Sequence, residues 1–134
     1  MKTDHLTFKQ KDLLMKHIFS KYNKAKIELA TTENNYNYYP SSSILKVGES
    51  KNSNGYESRL LRNLDHENKL NLYIYKIDHI NKHISKKSLL IITKDYIENV
   101  DHIWYLDYFS KSTYYRMKHR AFNEFLELFD ENML

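Results

Sequence analysis

The stretch SKSTYYRMKHR, residues 110–120, contains Lys111, Arg116, Lys118 and Arg120 and no acid, whereas the fourteen residues after it carry four acids and no Lys or Arg. Read as a helix of about 3.6 residues per turn, residues 111–129 place Tyr114, Met117, Ala121, Phe125 and Leu128 on one stripe, widened by Phe122 and Phe129. The opposite face of the first turns holds Ser112, Tyr115, Arg116, His119 and Arg120, with Lys111 at the tip and Lys118 at the flank. Cations and hydrogen-bond donors so placed suit phosphate oxygens and the O6 and N7 acceptors of guanine in a major groove. The order of charge runs against the helix macrodipole, which favours acids at the N-terminus and cations at the C-terminus. A requirement other than helix stability therefore accounts for it better than chance does. The competing reading is an ordinary amphipathic helix with a solvated charged face.

Other residues with chemistry to offer lead less far. His79 and His83, spaced i, i+4 beside Asp78, place two metal ligands on one helix face, but no third ligand accompanies them, and they read as solvent-facing polar residues. DHENK at 65–69 has His66 and Glu67 but lacks the second His of a zinc-protease motif. The tyrosines between Tyr96 and Tyr115 interleave with cations, as in single-strand stacking platforms, yet Tyr105 and Tyr108 at i, i+3 read more simply as packing residues. There is no paired-carboxylate motif, Gly-rich phosphate loop or nucleophile elbow. The chain contains no Cys, which removes disulfide frameworks, thiol catalysis and Cys-based zinc fingers. The expectation is a protein that is not an enzyme and needs neither cofactor nor metal.

The elements that must position the basic stretch are helical. Thr7 and Gln10 form a capping box for a first helix within residues 1–30, with Phe8, Leu13, Leu14, Ile18, Phe19, Tyr22, Ala25 and Leu29 recurring at three and four. The single Pro and both Gly lie between Pro40 and Gly55, which marks 31–58 as a polar loop and 33–55 as its mobile part. Leu60, Leu61, Leu64, Leu70, Ile74, Ile77, Ile80 and Ile84 give a second long stripe. A shorter helix follows in KKSLLIITKDYIEN, with Leu89, Leu90, Ile92, Tyr96 and Ile97 inward; LLIITK has strand-like residues but no second alternating run to pair with. Asp101 is placed to cap a short helix over 101–109, and Ser110 to cap the last, 111–129. The expected fold is all-α, one domain of about five helices over 1–134, with a helix-turn-helix at about 101–129 inside the unit 59–134.

Seventeen Lys against four Arg, with abundant Asn, Ile and Tyr, is a composition that A/T-rich codons produce, so the net charge of +4 says less than its arrangement: +4 over 111–120 and −4 over 121–134. No run of about 18 uncharged apolar residues is present to span a membrane. The opening MKTDHLTFKQKDLL lacks the apolar core of a secretory signal, which points to the cytoplasm.

SKSTYYRMKHRAFNEFLELF, preceded by VDHIWYLDYF, resembles the C-terminal signature of ArpU-type transcriptional regulators of phages and low-GC Gram-positive bacteria, and more distantly the region-four helix-turn-helix of sigma factors. The likeness covers about residues 70–130. It implies that Ser110 caps a recognition helix, that Thr113 and Arg116 approach DNA, and that Ala121 allows close packing; Tyr114, Tyr115 and Arg120 also stand in matching places. This chain departs from the pattern with Trp104 and Tyr108 where smaller residues are usual, and with Asp107 near an expected Leu.

The expected function is a transcriptional regulator that binds double-stranded DNA through Lys111, Ser112, Thr113, Tyr115, Arg116, Lys118, His119 and Arg120. RNA polymerase or a second copy of the chain would then be partners of the long helices. The alternative is a helical protein-interaction module, an RNA polymerase-binding or phage-type adaptor without DNA contact, whose anchor would be an exposed patch around Trp104, Tyr105 and Tyr108.

Overall fold

The computed structural model describes residues 2–38 and 53–134. The capping box at Thr7 is formed in both directions: the Thr7 amide donates to Gln10 Oε1 at 2.8 Å, and the Gln10 amide to Thr7 Oγ1 at 3.2 Å. From it runs α1, Phe8–Tyr38. The second long helix, α2, spans Ser53–His83. The expected loop is therefore shorter than 31–58: residues 31–38 and 53–58 are helical, and the rest of the segment, with Pro40 and Gly48, lies outside the described residues.

Ser85 begins α3, Lys86–Ile92, its hydroxyl accepting from the Ser88 amide at 3.3 Å. The helix then widens into a π-helical turn, Thr93–Ile97, closed by the Glu98 amide donating to the Thr93 carbonyl at 2.8 Å. Asn99, with φ 50°, takes the left-handed conformation that Asn tolerates, and the chain leaves the helix there. The last helix, α4, covers Lys111–Leu128, with Ser110 in extended conformation accepting from the Thr113 amide at 3.3 Å. Four α-helices thus make up the described residues, together with short 3-10 turns at Trp104–Asp107 and Glu131–Met133, and no strand. The chain divides into two compact units, one of Met1–Asn23 with Tyr75–Leu134 and one of Lys24–Ile74.

The segment 101–109 does not form the expected helix. It contains a single 3-10 turn, Trp104–Asp107. Asp101 does not cap it: its carboxylate accepts from the Ile103 amide at 3.3 Å in the bend before the turn, and no side chain caps the turn itself. The physical reason is that neighbouring aromatics are both drawn inward: the Trp104 indole N–H donates to Asp95 Oδ1 at 2.7 Å, while Tyr105 stacks on Tyr114 at 3.9 Å between centroids and 7° between planes. These two contacts, to Asp95 and to α4, hold the segment in place of a regular helical ladder.

In the first unit Phe19, Phe122, Phe125 and Phe129 are fully buried, with Met15, Ile18, Ile77, Ile91, Ile92 and Leu126 around them. α1 meets α4 through Phe8 on Phe122 and Phe19 on Phe125, each pair 5.1 Å between centroids. Two expected stripes hold in most places, with Ile18, Phe19, Tyr22 and Ala25 buried on α1 and Tyr114, Ala121, Phe122 and Phe125 on α4, and differ at single positions. Leu13 is exposed while Lys11 and Met15 are buried, and Leu128 is exposed while Leu126 is buried. In α1 the inward series is 11, 15, 18, 19 and 22, and a lysine occupies its first place. Of the second stripe, Ile77 and Ile80 are buried, whereas Leu60, Leu61 and Leu64 are exposed.

Candidate nucleic-acid interface

Ser110 fixes where α4 begins, and the buried positions Tyr114, Ala121, Phe122 and Phe125 fix its rotation. Ser112, Tyr115, Arg116, His119 and Arg120 consequently lie on its exposed side, and Lys111 is exposed at its first position. Lys111, Arg116 and Arg120 have no carboxylate partner among the described residues. Tyr115 is held at its base by edge contacts to Phe8, 5.9 Å between centroids, and to Tyr114, 5.1 Å. Thr113 is half-buried, and its hydroxyl accepts from Ser110 Oγ at 2.9 Å. That bond belongs to the helix cap, so Thr113 is turned toward the start of the helix and away from the stripe.

Lys118 is the exception among the expected contacts. Its side chain is only 14% exposed, and its ammonium lies 3.2 Å from Asp95 Oδ2 and 3.1 Å from the Tyr114 hydroxyl. The rings of Tyr96 and Tyr114 stand 5.4 Å from it and that of Phe122 5.9 Å, which adds cation–π attraction. The spacing explains the placement. Position 118 lies one turn from both 114 and 122, in the middle of the apolar stripe, so its stem packs among aromatics and its head needs a buried counter-charge. The assignment of Lys118 as a flank phosphate contact is corrected accordingly.

Asp95 supplies that charge and gathers three donors, from Trp104, Tyr114 and Lys118. Beside it, Tyr96 donates to Asp12 Oδ1, and Asp12 also pairs with Lys16 at 3.2 Å. The π-helical turn brings consecutive residues Asp95 and Tyr96 into this network, one joined to α4 and the other to α1. Burial pushes the Tyr96 hydroxyl far above the ordinary tyrosine range, with its bond to Asp12 adding to the shift. Tyr114 is raised for the same reason, reinforced by Asp95, and so is Tyr22, which donates to Asp78 at 2.6 Å. Tyr73 is pushed up by burial to about 12.

These shifts fix the sign of an alkaline dependence. Above pH about 10 the unfolded chain releases phenolic protons that the folded chain keeps, so stability falls as pH rises from there. In a titration followed by phenolate absorbance, Tyr22, Tyr73, Tyr96 and Tyr114 should ionise late, together with unfolding. Tyr96→Phe should remove one proton from that late step; an unchanged step would show that Tyr96 ionises freely.

Sequence reasoning missed Lys11, Asp12 and Asp95, and placed Tyr96 inward without its bond to Asp12. Lys11 sits at an inward position of α1 with Asn123 and His119 as neighbours. The only signal for either inward lysine was its register: position 11 precedes Met15 and Ile18 by four and seven, as 118 falls between 114 and 122.

His79 and His83 stand together, 4.4 Å between ring centroids, with His83 Nδ1 donating to the His79 carbonyl at 2.8 Å. No group of three or more metal-ligating side chains forms among the described residues. No described helix is long and apolar enough to cross a membrane.

Fold and site together define an all-helical protein whose last helix combines an unpaired basic stripe with an internal ion-pair network. No protein-family model, curated protein or solved structure matches the chain.

Proposed function

We propose that the protein is a cytoplasmic transcriptional regulator that binds double-stranded DNA through the exposed face of α4. The observation that carries this reading is the stripe Ser112, Tyr115, Arg116, His119 and Arg120, extended by Lys111, whose cations lack carboxylate partners among the described residues. Cations without carboxylate partners are available to the phosphates of a duplex. In this reading α3 takes the supporting place of a helix-turn-helix, since it packs on α4, and the segment 98–110 is the connection. Trp104 and Tyr105 then brace the connection from inside, Trp104 through Asp95 and Tyr105 through Tyr114. The test is binding of the purified protein to selected duplex oligonucleotides at about 0.15 M salt, where loose polyanion attraction is largely screened. Binding to duplex no tighter than to heparin would sink the reading.

A second reading, a protein-interaction module, is favoured by one feature. Ile103, Leu106 and Tyr108 on the 3-10 turn are 49%, 58% and 63% exposed. The anchor first expected there is divided, however, because Tyr105 is buried and Trp104 half-buried. RNA polymerase or a second copy of the chain is the partner such a surface would take in the regulator reading as well.

A further inference from the structure

Lys11 is 5% exposed, and its polar neighbours among the described residues are the side chains of Asn123 and His119, with no carboxylate beside it. Its ammonium donates to Asn123 Oδ1 at 2.7 Å and meets His119 Nε2 at 3.3 Å. An ammonium has three donors and no acceptor, so the contact to His119 is made only if Nε2 offers its lone pair. The ring proton then sits on Nδ1. That is the tautomer a free histidine side chain favours less in water, and Lys11 selects it. Phe8, edge-on to the ring at 5.9 Å and 89°, holds the imidazole plane in place. His119 itself remains exposed, and its Nδ1 has no partner among the described residues.

We infer that Lys11 is a positioning residue, which fixes His119 as its Nδ1–H tautomer so that α4 offers an N–H donor to a phosphodiester oxygen between Arg116 and Arg120. The inference deepens the DNA-binding reading and rests on it. A phosphate oxygen is the fitting ligand because it only accepts, and because the two exposed neighbours on the stripe are cations that draw the same group. With its lone pair engaged by Lys11, His119 has a donor and no acceptor to offer, which matches a phosphate oxygen, an acceptor only. The Lys11 ammonium makes no contact with the ligand; its directional effect passes through the ring.

Two measurements on the full chain test this. Long-range proton–nitrogen correlation spectra of the histidine rings, taken where His119 is neutral, should show the Nδ1–H pattern in the native protein and a shift toward Nε2–H in Lys11→Met. Finding Nε2–H in the native protein overturns the inference whatever DNA does. In duplex binding, Lys11→Met should weaken affinity at least about tenfold, the worth of one hydrogen bond to a charged oxygen, and should have no further effect in a His119→Ala background. Native circular dichroism of Lys11→Met confirms that the fold is kept; if it is not, His119→Ala alone carries the binding arm, with the same loss expected and an unchanged affinity overturning the inference. If Arg116→Ala weakens binding while Lys11→Met and His119→Ala do not, the inference fails and the DNA-binding reading stands. If the native protein shows no preference for duplex, both fall together.

Discussion

Replacing Asp95 with Ala should lower the stability of the fold by about 3–5 kcal/mol, the range for breaking a buried ion pair from one side. The carboxylate is 9% exposed and receives Lys118, the Tyr114 hydroxyl and the Trp104 indole. Its removal leaves an ammonium among three aromatic rings with Asp12, 4.0 Å away, as its nearest acid. Urea unfolding measures the loss, with fluorescence of Trp104, the single tryptophan, as a local probe of the same site. Asp95→Leu combined with Lys118→Met should recover much of the deficit, because an apolar pair of similar volume carries no desolvation cost. A loss of under about 1 kcal/mol in Asp95→Ala would place the pair with solvent-screened surface bridges and remove it as the anchor of α4.

Arg116→Ala should weaken binding to a preferred duplex by about 1–3 kcal/mol, roughly five- to 150-fold, and flatten the preference among sequences. Arg116 is exposed at the centre of the stripe, and its guanidinium is free to take a guanine edge in two parallel hydrogen bonds. Lys111→Ala, at the tip, should weaken all sequences about evenly and lower the salt slope by about one. Lys9 and Lys16, exposed on α1 and away from the stripe, should matter much less. Lys118→Ala belongs with Asp95: its effect should appear in unfolding and not in the salt slope. Equal losses from Arg116, Lys111, Lys9 and Lys16 would reduce the stripe to general basicity.

The helices were legible wherever one local rule acted alone. The Thr7–Gln10 box and the Ser110 cap are visible as residue types at fixed spacing, and both form as read. The exposed face of α4 followed from periodicity, because Tyr114, Ala121, Phe122 and Phe125 are apolar and buried. Three features were hidden because a tertiary partner decides them. Lys11 and Lys118 look like surface residues until Asn123 and Asp95 are seen beside them. In the helix ahead of the π-helical turn Ile91 is buried, and Leu89 and Leu90, expected inward, are half-buried; the turn itself is fixed by Tyr96 bonding to Asp12 of α1 and Asp95 to α4. The segment 101–109 carries a plausible helical pattern, and what breaks it is the indole bond to Asp95 and the ring stack on Tyr114.

The two inward lysines have a mechanical consequence. A helix seated only by apolar side chains can roll on its neighbours at little cost, because dispersion contacts carry no direction. On α4 the Lys118 head is tied to Asp95, and Asn123 is tied to Lys11 of α1. Directional bonds to two different elements oppose torque about the helix axis in both senses. The angle at which Arg116, His119 and Arg120 face outward is therefore set before any ligand arrives, and a load applied to that face is passed into α1 and the π-helical turn without turning the helix beneath it.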